Sequence, residues 1–221
     1  MLRSDDNSVP ARAQLAREWR MYESVEAGEA DALYTIWEAP RPAVVLGRSN
    51  RLDDWVDADR CREDGVDVLR RFSGGGAVVL APGCLNYAVC LSLDTRPALA
   101  DVAASFRAVH EPLIAALAVP RLMIAGVADL TWRGRKVSGT AQRRGRRAVL
   151  HHGTLLYGFD AGLAVRYLVE PPRQPAYRAR RPHRSFMGNL PLSRGVLARR
   201  VAAALDLLAH SSRSTAMKGP D

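Results

Sequence analysis

Val66-Asp67-Val68-Leu69-Arg70-Arg71-Phe72-Ser73-Gly74-Gly75-Gly76-Ala77-Val78-Val79-Leu80 places two short apolar runs on either side of three consecutive glycines. Short runs of this kind bounded by turn-forming residues read as strands, so 66–69 and 77–80 are expected to be extended and 70–76 to be a loop. Three glycines in a row are entropically costly to order and suit a place where backbone must approach a ligand or take positive φ. Arg70, Arg71 and Ser73 add charge and a hydroxyl, which fits a carboxylate or phosphate; a plain hairpin turn is the alternative. The stretch matches neither GxGxxG nor GxxxxGK[ST], which disfavours the Rossmann and P-loop readings.

Working outward, 11–28 has Leu15, Trp19, Tyr22 and Val25 at helical spacing. Strands are expected at 32–37 and 43–46, a helix at 53–63 and a strand at 86–93. A long helical pattern covers 98–117, with Pro112 implying a kink or an earlier end. Extended segments at 129–132 and 135–138 flank Gly134 as a hairpin, another strand covers 148–157, and a helix covers 192–208 with Val196, Leu197, Val201, Leu205 and Leu208 on one face. Too few crossover helices are present for a parallel sheet, so the expected fold is α/β (α+β) with a mixed, mostly antiparallel sheet flanked by helices. One domain over 11–209 is expected, with flexible tails at 1–10 and 210–221.

Hydrophobic residues at 48% and charged residues at 25% are proportions of a soluble globular protein, and no apolar run approaches the roughly 18 residues that cross a bilayer. The polar start, Met1 to Ser8, has no secretion-signal core, so a cytoplasmic location is expected. Cys61, Cys84 and Cys90 are odd in number and lack CxxC spacing, which suggests reduced thiols rather than disulfides or a thiolate metal site. Between Asp129 and Arg184, thirteen Lys or Arg face three acids, against a net charge of +9 for the whole chain. Such a stretch suits a polyphosphate, an acidic protein or a nucleic acid, or is simply a solvated basic face. Only two of the 32 basic residues are lysines, Lys136 and Lys218, so a lysine inside a Gly/Ser-flanked motif suggests a need for a compact ammonium.

That motif is Gly134-Arg135-Lys136-Val137-Ser138-Gly139-Thr140-Ala141. If 135–138 is extended, Lys136 and Ser138 project from one face and can serve one pocket, where the lysine would stabilise charge on a transferring phosphoryl group. A surface lysine in a hairpin is the bland alternative. In His151-His152-Gly153-Thr154-Leu155-Leu156 the adjacent histidines point to opposite faces, so they do not share a metal and at most one faces a pocket.

Together, Arg70-Arg71-x-Ser73-Gly74-Gly75-Gly76-Ala77-Val78, Asn86-Tyr87, Asp129-Leu130, Gly134 to Ala141 and His151 to Leu156 stand in the order and spacing of lipoate-protein ligases, which this chain resembles from about Leu15 to Leu190. The resemblance implies a fold like the catalytic domains of biotin ligases and class II aminoacyl-tRNA synthetases. It implies that lipoate or octanoate reacts with ATP to give an acyl-adenylate, and that a lysine of an acceptor lipoyl domain then displaces AMP. Lys136 is implied at the α-phosphate and acyl carbonyl. Arg71, Ser73, Gly74, Gly75, Gly76 and Ala77 would line the acyl-adenylate pocket, with Asn86, Asp129, Gly139, Ala141, His152 and Thr154 completing it; Ser138 joins them from its expected face. ATP and Mg2+ are implied, with no metal ligands assigned, and so is an acidic lipoyl-domain acceptor.

Two departures stand out. Ala128 precedes Asp129 where the family usually has Asn, which puts nucleotide or metal contacts in question. Many members carry a further C-terminal accessory domain, whereas one helix and a tail follow Leu192 here, so a separately encoded accessory subunit is an expectation. The runner-up is an octanoyl or lipoyl transferase of the same fold acting through a cysteine thioester. Similar transferases carry that cysteine just upstream of the position of Asp129, but 121–128 contains none; Cys84 is either a displaced nucleophile or a buried strand-end thiol. A non-catalytic acceptor- or nucleic-acid-binding module using Arg143, Arg144, Arg146 and Arg147 is the third reading, with few aromatics there for base stacking. A biotin ligase is disfavoured because its Gly-Arg-Gly-Arg-rich loop is missing.

Overall fold

The fold was analysed in a computed structural model, which describes residues 9–171 and 174–211. Helix α1 (Ala11–Ala27) ends where Gly28, at φ 81°, supplies a left-handed C-cap. Strands β1 (Ala32–Glu38) and β2 (Ala43–Leu46) follow, then α2 (Ala58–Glu63), β3 (Asp67–Arg70), β4 (Ala77–Leu80) and β5 (Cys84–Ser92). After a 3₁₀ turn at Pro97–Ala100 come α3 (Val102–Leu117), β6 (Met123–Ala125), β7 (Asp129–Trp132), β8 (Arg135–Arg144) and β9 (Ala148–Leu156). Helices α4 (Ala161–Tyr167), α5 (His183–Phe186) and α6 (Arg194–His210) complete the described chain.

Six strands form an antiparallel sheet in the order β1-β5-β9-β8-β7-β6. A second sheet has the order β3-β2-β4, with β2 and β3 parallel and β2 and β4 antiparallel. The α/β class and the mostly antiparallel, mixed sheet flanked by helices are therefore observed. Strand β5 is buried along its whole length because both faces are covered. On one face Leu85, Tyr87, Val89 and Leu91 join a core with Val109 and Leu113 of α3 and Leu197 and Val201 of α6. On the other, Ala88 and Cys90 pack with Leu150 of β9 and Tyr22 and Val25 of α1. The small sheet has its own core with Leu15, Trp37 and residues of α2 and α4.

Several boundaries differ from expectation for identifiable reasons. The helix expected from 53 begins only at Ala58, where the Asp57 carboxylate accepts from the Arg60 N–H at 3.1 Å, and turns precede it. The helix expected from 98 begins at Val102 because Asp101 accepts from the Ala104 N–H at 2.6 Å, and it runs through Pro112 rather than stopping there. Strand β8 continues to Arg144, and β6, α4 and α5 were not anticipated. The hairpin of β7 and β8 is tight because Arg133 (φ 51°) and Gly134 (φ 72°) both take the positive φ of a type I′ turn. Of the expected tails, residues 1–8 and 212–221 lie outside the described residues. Among the described residues, no helix is long and apolar enough to cross a membrane.

Candidate functional site

The two sheets enclose a cavity of about 300 Å³ between the glycine loop, the face of the large sheet that carries Asn86 and His152, and the segment leading into α5. That volume is at the lower end of ligand pockets, which run from about 300 to 1,000 Å³. Leu15, Trp37, Val45, Val79, Leu80, Leu156, Ala164 and Leu168 make one part of the wall apolar. Asp129, Lys136, Gly139, Ala141, Thr154, Arg178 and His183 line a polar part.

Lys136 reaches this wall through an irregularity in pairing. On β7, Leu130 faces Ser138, but Thr131 faces Lys136, so β8 carries one extra residue, Val137, at that point. A bulge of this kind shifts the side-chain alternation by one. Lys136 thereby falls in phase with Gly139, which faces Asp129, and out of phase with Ser138. Simple alternation places Lys136 and Ser138 on one face, and the bulge separates them. Ser138 touches the cavity, yet its hydroxyl is buried with no hydrogen-bond partner. The Lys136 ammonium sits 2.8 Å from Asp129 Oδ1, passing over the space that a side chain at Gly139 would fill. The Tyr177 hydroxyl donates to the other carboxylate oxygen of Asp129, and burial together with Asp129 raises the phenol's pKa.

Arg71 proves to be the organiser of the glycine loop. It is buried, and its guanidinium donates to Ser73 Oγ (3.0 Å), to the carbonyls of Gly74 (2.7 Å) and Gly76 (2.9 Å), and to that of Val45 (3.1 Å). Burial lowers its pKa to about 10, with Glu18 opposing. Gly75 takes φ 86°, a conformation that favours glycine, and the ring of Trp55 fills the place a Gly76 side chain would need. Gly75, Gly76 and Ala77 line the cavity, whereas Gly74 is exposed and Ser73 lies behind the wall. Ser73 Oγ is 2.6 Å from His152 Nε2, and His152 Nδ1 is 2.6 Å from Glu18 Oε2. Glu18 Oε1 accepts from Trp37 Nε1 at 2.9 Å. A carboxylate at Nδ1 assigns the proton there, so the Ser73 hydroxyl donates to Nε2 while accepting from Arg71. A continuous polar chain thus links α1, β9 and the loop.

His151 points the other way, as the alternation required. It is fully buried beside Tyr87, Phe106 and His110, and burial holds its pKa well below the ordinary range. Thr154 and Gly139 contact each other across β8 and β9. Asn86 lines the cavity while its amide donates to the Cys84 carbonyl at 3.3 Å. Cys84 itself is fully buried, does not line the cavity, and has its thiol pKa raised by that burial.

The structure thus brings together Lys136, Asp129, Arg71, Gly75, Gly76, Ala77, Asn86, Ser138, Gly139, Ala141, His152 and Thr154 around one cavity. Glu18, Trp37, Trp55, Tyr177, Arg178 and His183 line or contact it too and were not anticipated. Glu18 had a signal: α1 buries Ala11, Gln14, Leu15, Glu18, Met21, Tyr22 and Val25, so an acid occupies the apolar stripe. Among the described residues, no group of three or more His, Cys, Asp or Glu is placed to hold a metal ion.

The basic stretch is less available than its charge suggested. Arg144 donates to the carbonyls of Leu99 (2.6 Å) and Ala100 (2.8 Å), and Arg147 pairs with Asp94 at 2.6 Å. Both stand at the far end of β8 and β9 from Lys136.

A family model described as the lipoyl protein ligase A/B catalytic domain matches residues 10–205. A Schizosaccharomyces pombe protein named for lipoate-protein ligase A is 30% identical over 213 residues, covering 96% of this chain and 55% of that one. An octanoyltransferase of Clostridioides difficile is 27% identical over 146 residues, covering 56% and 52%. The chain spans about half the length of the curated relatives it matches. Among solved structures, a bipartite lipoate protein ligase of Thermoplasma acidophilum, described with its E2 lipoyl domain, superposes with a TM-score of 0.76 at 22% identity over 95% of this chain and 82% of that one. A lipoate-protein ligase A bound with ATP gives 0.74 at 21% identity, covering 95% and 84%. At these identities the structural likeness establishes the fold.

Proposed function

The chain belongs to the lipoyl protein ligase A/B catalytic-domain family, and from that premise we propose that it activates lipoate or octanoate with ATP and passes the acyl group to a lysine of an acceptor lipoyl domain. The observation that carries this reading is the Lys136 ammonium on the polar wall of a cavity that also has an apolar wall. An acyl chain would lie along the apolar wall, with its carboxylate towards Lys136. A carboxylate oxygen then bonds to the α-phosphorus, the bond from that phosphorus to the bridging oxygen breaks, and pyrophosphate leaves with the electron pair. The acceptor amine attacks the acyl carbon, AMP leaves, and the amine loses its proton.

Lys136 would stabilise negative charge on the α-phosphoryl and acyl oxygens in both steps, and Asp129 holds it in place. The chain Glu18–His152–Ser73–Arg71 holds the loop against the acid. Arg71 would act through the loop, because its donors already meet protein acceptors. The family implies Mg2+, but both oxygens of Asp129, the acid on the polar wall, are already taken by Lys136 and Tyr177, and no group of three or more His, Cys, Asp or Glu among the described residues is placed to hold the ion, so its ligands would come chiefly from the phosphates and water. When bound it would neutralise phosphate charge. The ATP-bound relative supports the nucleotide, and the bipartite relative supports a separate accessory subunit as part of this reading. An acidic acceptor and a cytoplasmic location belong to it as well.

The octanoyltransferase among the relatives favours a second reading, thioester transfer, for which Cys84 is the cysteine nearest the loop in sequence. Its burial behind the wall counts against that role. Incubation with ATP, lipoate and labelled pyrophosphate separates the two. Lipoate-dependent exchange of label into ATP is expected, and no exchange under conditions where the protein transfers octanoate from a carrier would decide for the transferase.

A further inference from the structure

Two buried basic side chains, an arginine and a histidine, at the polar end of the cavity have no part in the steps above. Arg178 ends a 3₁₀ turn (Ala176–Arg178) and His183 begins α5, and both line the cavity with Lys136. Arg178 is 4% exposed and His183 8%. Arg178 directs Nε to the Arg181 carbonyl at 2.9 Å and Nη2 to Glu170 Oε2 at 2.5 Å, with the Phe186 ring 4.8 Å from its Cζ. Its Nη1 has no hydrogen-bond acceptor among the described residues. His183 Nε2 is buried without a hydrogen-bond partner, and Glu170 Oε1 is 4.0 Å from it. Burial, and then Arg178, lower the imidazole's pKa; Glu170 and a hydrogen bond to the Val169 backbone oppose this, and Lys136 adds to the lowering. A buried polar atom without a partner, as His183 Nε2 is, is rare and calls for an explanation such as a ligand.

We propose that Arg178 and His183 form the subsite that receives the pyrophosphate leaving group, and that the Glu170 carboxylate is its intramolecular competitor. This rests on the adenylation reading above. When the bond between the α-phosphorus and the bridging oxygen breaks, negative charge collects on the departing pyrophosphate and has to meet donors other than Lys136. Arg71 is not among them, since its donors are held by Ser73, Val45, Gly74 and Gly76. Arg178 Nη1 offers a charged donor to the anionic oxygens. His183 Nε2 accepts from the phosphoryl hydroxyl that pyrophosphate retains at neutral pH. The Glu170 side chain is 51% exposed and can turn into solvent as the anion arrives.

Calorimetric titration of the whole chain with inorganic pyrophosphate, and separately with AMP, tests this without turnover. Arg178→Gln and His183→Leu should each raise the pyrophosphate Kd about tenfold while leaving AMP affinity as it was, since each removes one hydrogen bond made to the anion. Glu170→Gln should tighten pyrophosphate, because it removes the competing charge from a half-exposed position. Equal pyrophosphate affinity in the wild type and all three variants overturns the subsite, as does AMP affinity falling in step with pyrophosphate. If the two buried variants fail to fold, Glu170→Gln alone decides: tighter binding upholds the subsite and unchanged binding overturns it. A protein that shows these shifts but never exchanges label into ATP would keep the subsite and lose the adenylation reading.

Discussion

Replacing Gly139 with alanine would set a methyl carbon 3.0 Å from both Cε and Nζ of Lys136. That is tighter than ordinary van der Waals contact, so the lysine head must give by a few tenths of an ångström. It starts 2.8 Å from Asp129 Oδ1, and a displacement of that size away from the carboxylate lengthens the contact towards the limit of an N–H···O bond. Misplacement of a catalytic group by about 1 Å costs on the order of 10²-fold in rate. The strand itself should hold, because Gly139 pairs with Asp129 through backbone and alanine is less costly than glycine to order. A shift of a few tenths of an ångström is a fraction of that, so lipoate-dependent ATP–pyrophosphate exchange should fall several-fold, up to about tenfold, with an unchanged melting temperature. Gly74→Ala is the control: no atom lies within 4 Å of the added carbon and its φ is not left-handed, so exchange should stay at the wild-type rate. Wild-type exchange in Gly139→Ala, or an equal fall in both variants with the fold intact, would refute the placement of Lys136.

Three further outcomes are expected. Lys136→Ala should lower adenylate formation by about 10²–10³, and Lys136→Arg should not restore it, since a planar guanidinium cannot occupy the narrow space over Gly139; single-turnover assays with lipoate and ATP measure both. Replacing Cys61, Cys84 and Cys90 with alanine should leave acyl transfer intact in whatever fraction remains folded, and an acyl adduct trapped on Cys84 of the wild type would contradict this. Burial lowers the His110 pKa to about 4, with Asp129 partly opposing, and burial lowers that of His151 as well. Between that value and the ordinary histidine value of about 6.5 the unfolded chain binds protons that the folded one does not, so stability should fall as the pH drops through this window. For His110 the loss should be on the order of 2–3 kcal/mol by pH 4, and His110→Gln should flatten urea-melt stability between pH 7.5 and 4.5.

Most of the fold was readable because periodicity reports burial directly. The runs at 43–46 and 77–80 and the stripe of 192–208 each had a face to bury, and each became a strand or helix. The elements that escaped were short or depended on distant partners. Strand β6 has three residues and exists through pairing with β7, and α5 is a single turn whose neighbour Met187 bridges to Lys136. The start of α3 followed from which acid capped it, and the pattern over 98–117 held no information about that.

The cavity shows the same division more sharply. Motifs with fixed spacing pointed to Lys136, the glycine loop and His152, since each is local in sequence. What those residues touch was not local: Glu18 meets His152 across 134 residues, and Tyr177 meets Asp129 across 48. The bulge at Val137 is the clearest case, because a strict alternation carries the Lys136 ammonium to the wrong side of β8 and only pairing with β7 reveals the extra residue. Charge counting says nothing of contacts for a related reason. Arginines 144 and 147 add to the positive total, but the Leu99 and Ala100 carbonyls and Asp94 already hold them. Salt dependence of acceptor binding should therefore be sought at exposed Arg180 and Arg184, near the cavity, rather than at the far hairpin.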